Sequence, residues 1–193
     1  SLSLCGDPEH PLRRMIALRV VLDGVSAPVV TGVALHALDL TRSLIATAPR
    51  GCVVRGFTPS LPDSDYDVIA ERLPGLDRLD KSALDRRQLA AAWQHGFSRL
   101  PGTGPVHAPS LLAPLYRHDR LENPDEQTIV TIHDTAAWSH PEVLTSRGVA
   151  WHRAMVRRAH KYADAVVVPT HAVADELDDI LPFGDRIRVI PGA

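Results

Sequence analysis

The chain has 193 residues, of which 45% are hydrophobic and 23% are charged, and its formal net charge is -2. This length supports one sizeable domain or at most two small ones, and the near-neutral charge gives no reason to expect nucleic acid as a partner. No stretch approaches the ~20 apolar residues of a membrane-spanning helix.

The first residues and the cysteines limit the class of protein further. Residues 1–15 show no signal-peptide pattern, and we interpret them as a leader or as cloning residues that precede the fold. The two cysteines, Cys5 and Cys52, are too few for a disulfide framework or a four-thiolate metal site. We therefore expect a cytoplasmic protein with plain thiols.

The first elements along the chain are predicted to be a strand, a helix and a second strand. The apolar run at residues 16–22 predicts the first strand, and residues 52–57 predict the second, between Gly and Pro. Residues 32–48 carry apolar side chains at helical spacing, which predicts one buried helix face. The residues of that predicted face are Val33, Ala37, Leu40 and Leu44.

The middle of the chain gives weaker signals. Residues 62–74 predict a short helix and residues 76–79 a short strand. Residues 84–97 predict a longer helix, and residues 106–108 a brief buried strand.

The last third has the clearest pattern. Residues 128–133 and 165–168 are nearly continuous β-branched or apolar runs and predict buried strands. Residues 146–162 predict a helix, Thr170 is predicted to cap the start of another, and residues 187–190 predict a final strand.

Continuous apolar strands that alternate with helices indicate a parallel sheet covered on both faces. The predicted fold class is therefore α/β, a Rossmann-like three-layer domain with a mostly parallel sheet. Ligands bind such sheets outside the carboxyl ends of the strands, so candidate site residues should follow each strand. The dinucleotide-binding pattern G-x-G-x-x-G is absent, which disfavours a nicotinamide or flavin enzyme.

Candidate binding residues lie at the carboxyl ends of three strands or in the loops that follow them. Thr31 and Gly32 precede the first helix, where free N–H groups attract anions, although an ordinary capped loop is an equal alternative. His107 with Ser110, and His133 with Asp134, lie at the carboxyl ends of two later strands. Histidine can bind hydroxyl groups or transfer protons near neutral pH, and a structural hydrogen-bonding role is the alternative for each.

Two further readings concern metal and membrane. His133 and Asp134 by themselves also suggest a metal hydrolase, but no H-x-x-x-H or H-E-x-x-H pattern supports a metal site. Arg153, Arg157 and Lys161 recur every four residues and form a basic stripe on one predicted helix. This stripe is either a peripheral contact for anionic lipid or an ordinary solvated face.

Four segments in this order resemble the family 4 retaining glycosyltransferases, over residues 16–193. The first, Thr31-Gly32-Val33, is similar to the T-G-[IV]-G-R-Y loop of that family, although Ala34, Leu35 and His36 replace its last three residues. The other segments are similar to V-H-x-[PT]-[SN], to T-[IV]-H-D followed by P-E, and to A-D-x-[IV]-[IV] leading to R-[IV]-x-[VI]-[IP]-x-G. They occupy residues 106–110, 131–142 and 163–192.

The resemblance implies the N-terminal, acceptor-side half of a GT-B fold, in residues 16–193, with a C-terminal donor domain expected beyond them. It implies transfer of a sugar from a nucleotide-sugar to a carbohydrate or lipid-linked acceptor with retention, with no metal or other cofactor. His133 is then the catalytic candidate, and Thr31, Gly32, His107, Ser110 and Asp134 are substrate-binding candidates. By itself this half is expected to be inactive.

Two other functions stay open from the sequence. One is a non-catalytic binding or scaffold module of Rossmann-like fold, and the other is a sugar-nucleotide epimerase of GT-B fold.

Overall fold

A single parallel sheet of seven strands organises the chain. The computed structural model describes residues 15–119, 121–123 and 125–191. Within them the strand order is β3-β2-β1-β4-β5-β6-β7, and all neighbouring strands are parallel. The strands are β1 (Ile16–Val21), β2 (Cys52–Thr58), β3 (Arg78–Lys81), β4 (Val106–Ala108), β5 (Thr128–Thr131), β6 (Ala165–Val168) and β7 (Ile187–Val189).

Six α-helices connect these strands within the described residues. They are α1 (Gly32–Thr47), α2 (Asp63–Arg72), α3 (Arg86–Gln94), α4 (Ala136–Ser139), α5 (Ser146–Tyr162) and α6 (His171–Ile180). Thr31, Asp85, Thr145 and Thr170 cap four of them, because each side chain accepts a hydrogen bond from a backbone amide in the first turn. The sequence predicts every strand and all helices except α4, which has only four residues.

Two hydrophobic clusters, one on each face of the sheet, form the core. Val20 and Leu22 of the first strand region pack with α1 and α2. The intervening Val21 packs in the other cluster, with residues of α3 and α5. This alternation confirms the predicted Rossmann-like three-layer class.

Some predicted boundaries and one predicted face differ from the structure. The third strand was predicted at residues 76–79 and lies at Arg78–Lys81. The predicted face of α1 was partly wrong, because Val33 is 43% exposed. The buried residues of this helix are Ala34, Ala37, Leu38 and Thr41. Helix α1 carries apolar residues around most of its circumference, so spacing alone selected a neighbouring face. The predicted leader, apart from Met15, lies outside the described residues, as do Cys5 and Gly192.

A buried arginine ties the entry of β4 to β1. Arg19 is only 6% exposed, and its guanidinium donates hydrogen bonds to the carbonyl oxygens of Pro101, Gly102 and Gly104 at 3.2, 3.2 and 2.5 Å. Burial lowers the pKa of Arg19 below its ordinary value. These bonds fix the turn that starts the central strand β4.

A second polar cluster fixes the long connection between β4 and β5. The Nε2 atom of His118 lies 2.7 Å from a carboxylate oxygen of Asp164, and its Nδ1 lies 3.0 Å from the carbonyl oxygen of Tyr116. The same Asp164 oxygen accepts a hydrogen bond from the backbone amide of Thr128, at 2.8 Å. The aspartate in the A-D segment of the sequence therefore has a structural role in this chain.

Candidate functional site

A cleft of about 390 Å³ opens at the carboxyl edge of the sheet. It lies where β1 and β4 are neighbours although they are distant in sequence, which is the switch point of the strand order. There the connections leave the sheet toward opposite faces, and a crevice forms between the loops. Residues from the loops after β1, β4 and β5, and from α3 and α5, line it.

Four of the six candidate site residues meet in this cleft. Thr31, Ser110, His133 and Asp134 all line it. Gly32 is exposed beside it, and a Cβ atom added there would meet no atom within 4 Å. Packing therefore does not require glycine at position 32, and the position stays open to a ligand.

Hydrogen bonding fixes the orientation of the His133 ring. Its Nε2 lies 2.7 Å from the carbonyl oxygen of Pro109, which can only accept, so Nε2 donates. In the neutral ring this leaves Nδ1 as an acceptor. The His36 ring packs edge-on against His133 with 5.2 Å between the centroids. The imidazole is thus held from two sides at the cleft wall.

His107 lies outside the cleft lining and contacts it through Thr131. Its Nε2 lies 3.2 Å from the hydroxyl oxygen of Thr131, which does line the cleft. Burial, and secondarily the neighbouring His36, lower the pKa of His107 from 6.5 to about 4. Burial and the proximity of His133 also lower the pKa of His36. His107 is therefore neutral at neutral pH, and the same effects disfavour a charge on His36.

We expect His107 to make the folded protein less stable as the pH falls. Below its unfolded pKa of 6.5, the unfolded chain gains a proton at this side chain, whereas the folded chain gains it only near pH 4. The contribution of neutral His107 to the free energy of unfolding is therefore fully present above pH 6.5. It is lost as the pH falls from 6.5 to about 4, and the loss is about 3 kcal/mol for this one group. The free energy of unfolding in urea, at about pH 7 and about pH 4.5, measures this loss.

The variant His107→Gln should lose less stability over the same pH interval than the wild-type protein. The exposed histidine variant His95→Gln is the control and should follow the wild type. An equal loss in the wild type and in His107→Gln would show that His107 does not remain neutral on folding.

Ser110 and Asp134 shape the loops that they occupy. The Ser110 hydroxyl accepts a hydrogen bond from the amide of Leu112 at 3.2 Å, and an Asp134 oxygen accepts from Ala136 at 2.9 Å. The next residue, Thr135, donates its hydroxyl proton to Glu176 at 2.5 Å. The side chains of Ser110 and Asp134 therefore stabilise turns in addition to lining the cleft.

Several residues that line the cleft are not among the predicted site residues, and three of them make defined polar contacts. Asp23 and Arg86, which are 63 positions apart, form an ion pair in which the Nε of Arg86 donates to both carboxylate oxygens, at 3.0 and 2.8 Å. Trp151 lines the cleft and donates a hydrogen bond from its indole N–H to the carbonyl oxygen of Ala90 at 3.0 Å. Asp23 could have been found by the strand-end rule, because it directly follows the first predicted strand.

An arginine from α2 holds the loop that carries Thr31. The Nη1 atom of Arg72 donates hydrogen bonds to the carbonyl oxygens of Val25 and Ala27, at 2.7 and 2.9 Å. Two hydrogen bonds from one guanidinium restrict this loop. The β1–α1 wall of the cleft is therefore held by contacts within the chain.

Across residues 15–119, 121–123 and 125–191, no three His, Cys, Asp or Glu side chains are grouped so that they could hold a metal ion. In this same part of the chain, none of the helices has both the length and the hydropathy needed to span a bilayer. In the predicted basic stripe, Arg153 is partly buried and donates to the carbonyl oxygen of Ala137 at 3.0 Å.

A three-layer α/β domain with a cleft at the switch point of its parallel sheet has the Rossmann-like architecture. The model of the family described as Glycosyltransferase Family 4 matches residues 30–193. Because this match covers most of the chain, the chain belongs to glycosyltransferase family 4, and the resemblance found in its motifs is confirmed. The family implies a sugar donor and an acceptor as substrates. A comparison with curated proteins finds no match.

Proposed function

We propose that this chain is the acceptor-side half of a GT-B glycosyltransferase that moves a sugar from a nucleotide-sugar to an acceptor with retention. The observation that carries the proposal is the cleft at the switch point, where Thr31, Ser110, His133 and Asp134 meet. The family match supports the transfer of a sugar. Donor binding is assigned to a second Rossmann-like domain, which faces this cleft in the intact enzyme.

The proposed roles combine the positions of the side chains with what the family resemblance implies. His133 contacts the transferred sugar or the acceptor, because its orientation is fixed and its Nδ1 can accept a hydrogen bond from a hydroxyl group. Thr31 and Gly32 lie near the donor phosphates, and Ser110 and Asp134 lie on the acceptor side. His107 acts on the acceptor side through Thr131.

The charges in this cleft also support the assignment of acceptor binding and donor binding to two different domains. A departing nucleoside phosphate needs positive groups as its negative charge develops. Arg86 lines the cleft but is paired with Asp23, and burial disfavours charge on the nearby His36 and His107. We therefore assign most of the phosphate stabilisation to the second domain, and we propose no metal or other cofactor.

A binding and transfer assay tests the proposal. The 193-residue chain is titrated with UDP-glucose and GDP-mannose by calorimetry, and the intact enzyme is incubated with the same labelled donors and candidate acceptors. We expect dissociation constants on the order of 1 mM or weaker for the chain alone, and a glycosylated product from the intact enzyme. Micromolar binding to the chain alone would contradict the assignment of the donor to a second domain.

The products separate the competing functions. A glycosylated acceptor supports the transferase, whereas an epimerised sugar-nucleotide would support an epimerase of the same fold. A protein that binds sugar but converts no donor would support a binding or scaffold module.

We further propose a cytoplasmic location, on the basis of the few cysteines and the free thiol of Cys52. Peripheral contact with anionic lipid would involve Arg157 and Lys161, which are exposed, more than Arg153, which is held by Ala137. Sedimentation with anionic vesicles tests this contact.

A further inference from the structure

A second groove, of about 670 Å³, lies between α3 and α5 directly beside the cleft. Arg86, Trp151 and His152 line both the groove and the cleft, so the two depressions adjoin. The groove has room because its walls carry side chains of minimal size. These small residues are Ala90, Ala91, Gly148 and Ala150.

The charged side chains that line this groove are all basic. Arg87 and Arg147 line it on opposite helices, and both side chains are exposed. Neither forms an ion pair or a hydrogen bond with any residue that the structure describes. Within the described part of the chain, no acidic side chain lines the groove.

The indole of Trp151 gives the groove an apolar surface at its junction with the cleft. Trp151 is half-buried, and its N–H is already bonded to the carbonyl oxygen of Ala90. The ring therefore has a fixed orientation and offers apolar area at little entropic cost. An arginine pair beside an apolar wall fits a ligand that has an anionic group next to an apolar part.

We propose that this groove binds a phosphate or carboxylate group of the acceptor, distant from the hydroxyl that receives the sugar, and that the apolar part of the same molecule lies against Trp151. The inference rests on the proposed function, because it places the receiving hydroxyl beside His133. Guanidinium groups bind phosphate and carboxylate by paired hydrogen bonds, and Arg87 and Arg147 are available for this on the two walls. The acceptor is thus an amphiphilic anion and not a neutral glycan.

Binding of octyl phosphate to the 193-residue chain tests this assignment. Octyl glucoside is the neutral probe with the same apolar tail, and inorganic phosphate is the probe without a tail. Calorimetry gives the affinities, and the indole N–H resonance of Trp151 reports the location of binding. We expect octyl phosphate to bind more tightly than either control and to shift the Trp151 resonance.

Two groove variants and one matched control make the test specific. The double variant Arg87→Gln with Arg147→Gln should weaken octyl phosphate binding by about tenfold or more, because it removes two charge-assisted contacts. The variant Ala91→Phe should weaken binding by filling the groove. The control, Arg50→Gln with Arg117→Gln, removes the same charge from two exposed positions outside the groove and should bind as the wild type does.

Equal binding of octyl phosphate and octyl glucoside would overturn the proposal, as would an equal loss of affinity in the groove variant and in the control. Binding to phosphatidylglycerol vesicles without binding to monomeric octyl phosphate would also overturn it, in favour of a membrane surface. The assay measures binding alone, so its failure leaves the transferase proposal intact. Conversely, if the intact protein binds octyl phosphate but transfers no sugar, the transferase proposal is contradicted and the proposal of an anion-binding groove stands.

Discussion

Replacing His133 by alanine is expected to lower the kcat of the intact glycosyltransferase by about two orders of magnitude. The His133 ring lies in the cleft. Its Nε2 donates a hydrogen bond to the carbonyl oxygen of Pro109, and this bond fixes the direction in which Nδ1 points. In the proposed role this nitrogen contacts the reacting sugar, and the loss of an oriented polar contact raises the barrier directly. Steady-state kinetics with saturating donor and acceptor measure the loss.

The control for this experiment is His95→Ala. His95 is exposed at the C-terminal end of α3 and does not line the cleft, so its removal should leave kcat unchanged. The variant His36→Ala tests the packing of the ring, and we expect a smaller loss, because Pro109 still holds His133. A kcat close to that of the wild type in His133→Ala would remove this histidine from the catalytic site.

Replacing Gly104 by alanine is expected to reduce the free energy of unfolding by about 4 kcal/mol. The φ angle of Gly104 is +116°, and a Cβ atom there would lie 2.1 Å from the carbonyl oxygen of Ala17. That neighbour is the backbone of a central strand, which has little freedom to move. The carbonyl oxygen of Gly104 also accepts a hydrogen bond from the buried Arg19, so a shift of this turn would disturb that hydrogen bond as well.

Gly102→Ala is a matched control for this substitution. Gly102 has a φ of +80°, but a Cβ atom there would meet nothing within 4 Å. We therefore expect only the conformational cost of a left-handed alanine, about 1 kcal/mol. Urea unfolding of both variants gives the comparison, and equal stability losses would show that the contact with Ala17 carries no energetic weight.

The regular elements were predictable because their signals are local. Helix α5 was predicted at its observed bounds, since its N-cap and its apolar residues lie within one continuous segment. The third strand was misplaced by two residues, because its sequence, RLDK, has no apolar run and is only partly buried. Helix α4 was missed because a single turn gives too few residues for a period.

The site was predictable to the extent that it follows strand ends. His133 is the last residue of a predicted strand and Ser110 comes soon after another, and the cleft contains both. The ion pair of Asp23 with Arg86, and the wall made by Trp151, were not predictable, because each joins segments that are far apart in sequence. The low pKa of His107 also depends on burial in the folded chain, which has no sequence signature.

By itself the sequence determined the class of fold, because buried parallel strands must be apolar on both faces and must alternate with covering helices. It also determined the family, through four short segments in a set order. Only the tertiary structure decided that β1 and β4 are neighbours, and therefore that Thr31, Ser110 and His133 face one cleft. The physical reason is that strand order depends on long-range packing of side chains, whereas hydrophobic periodicity reports only which face of each element is buried.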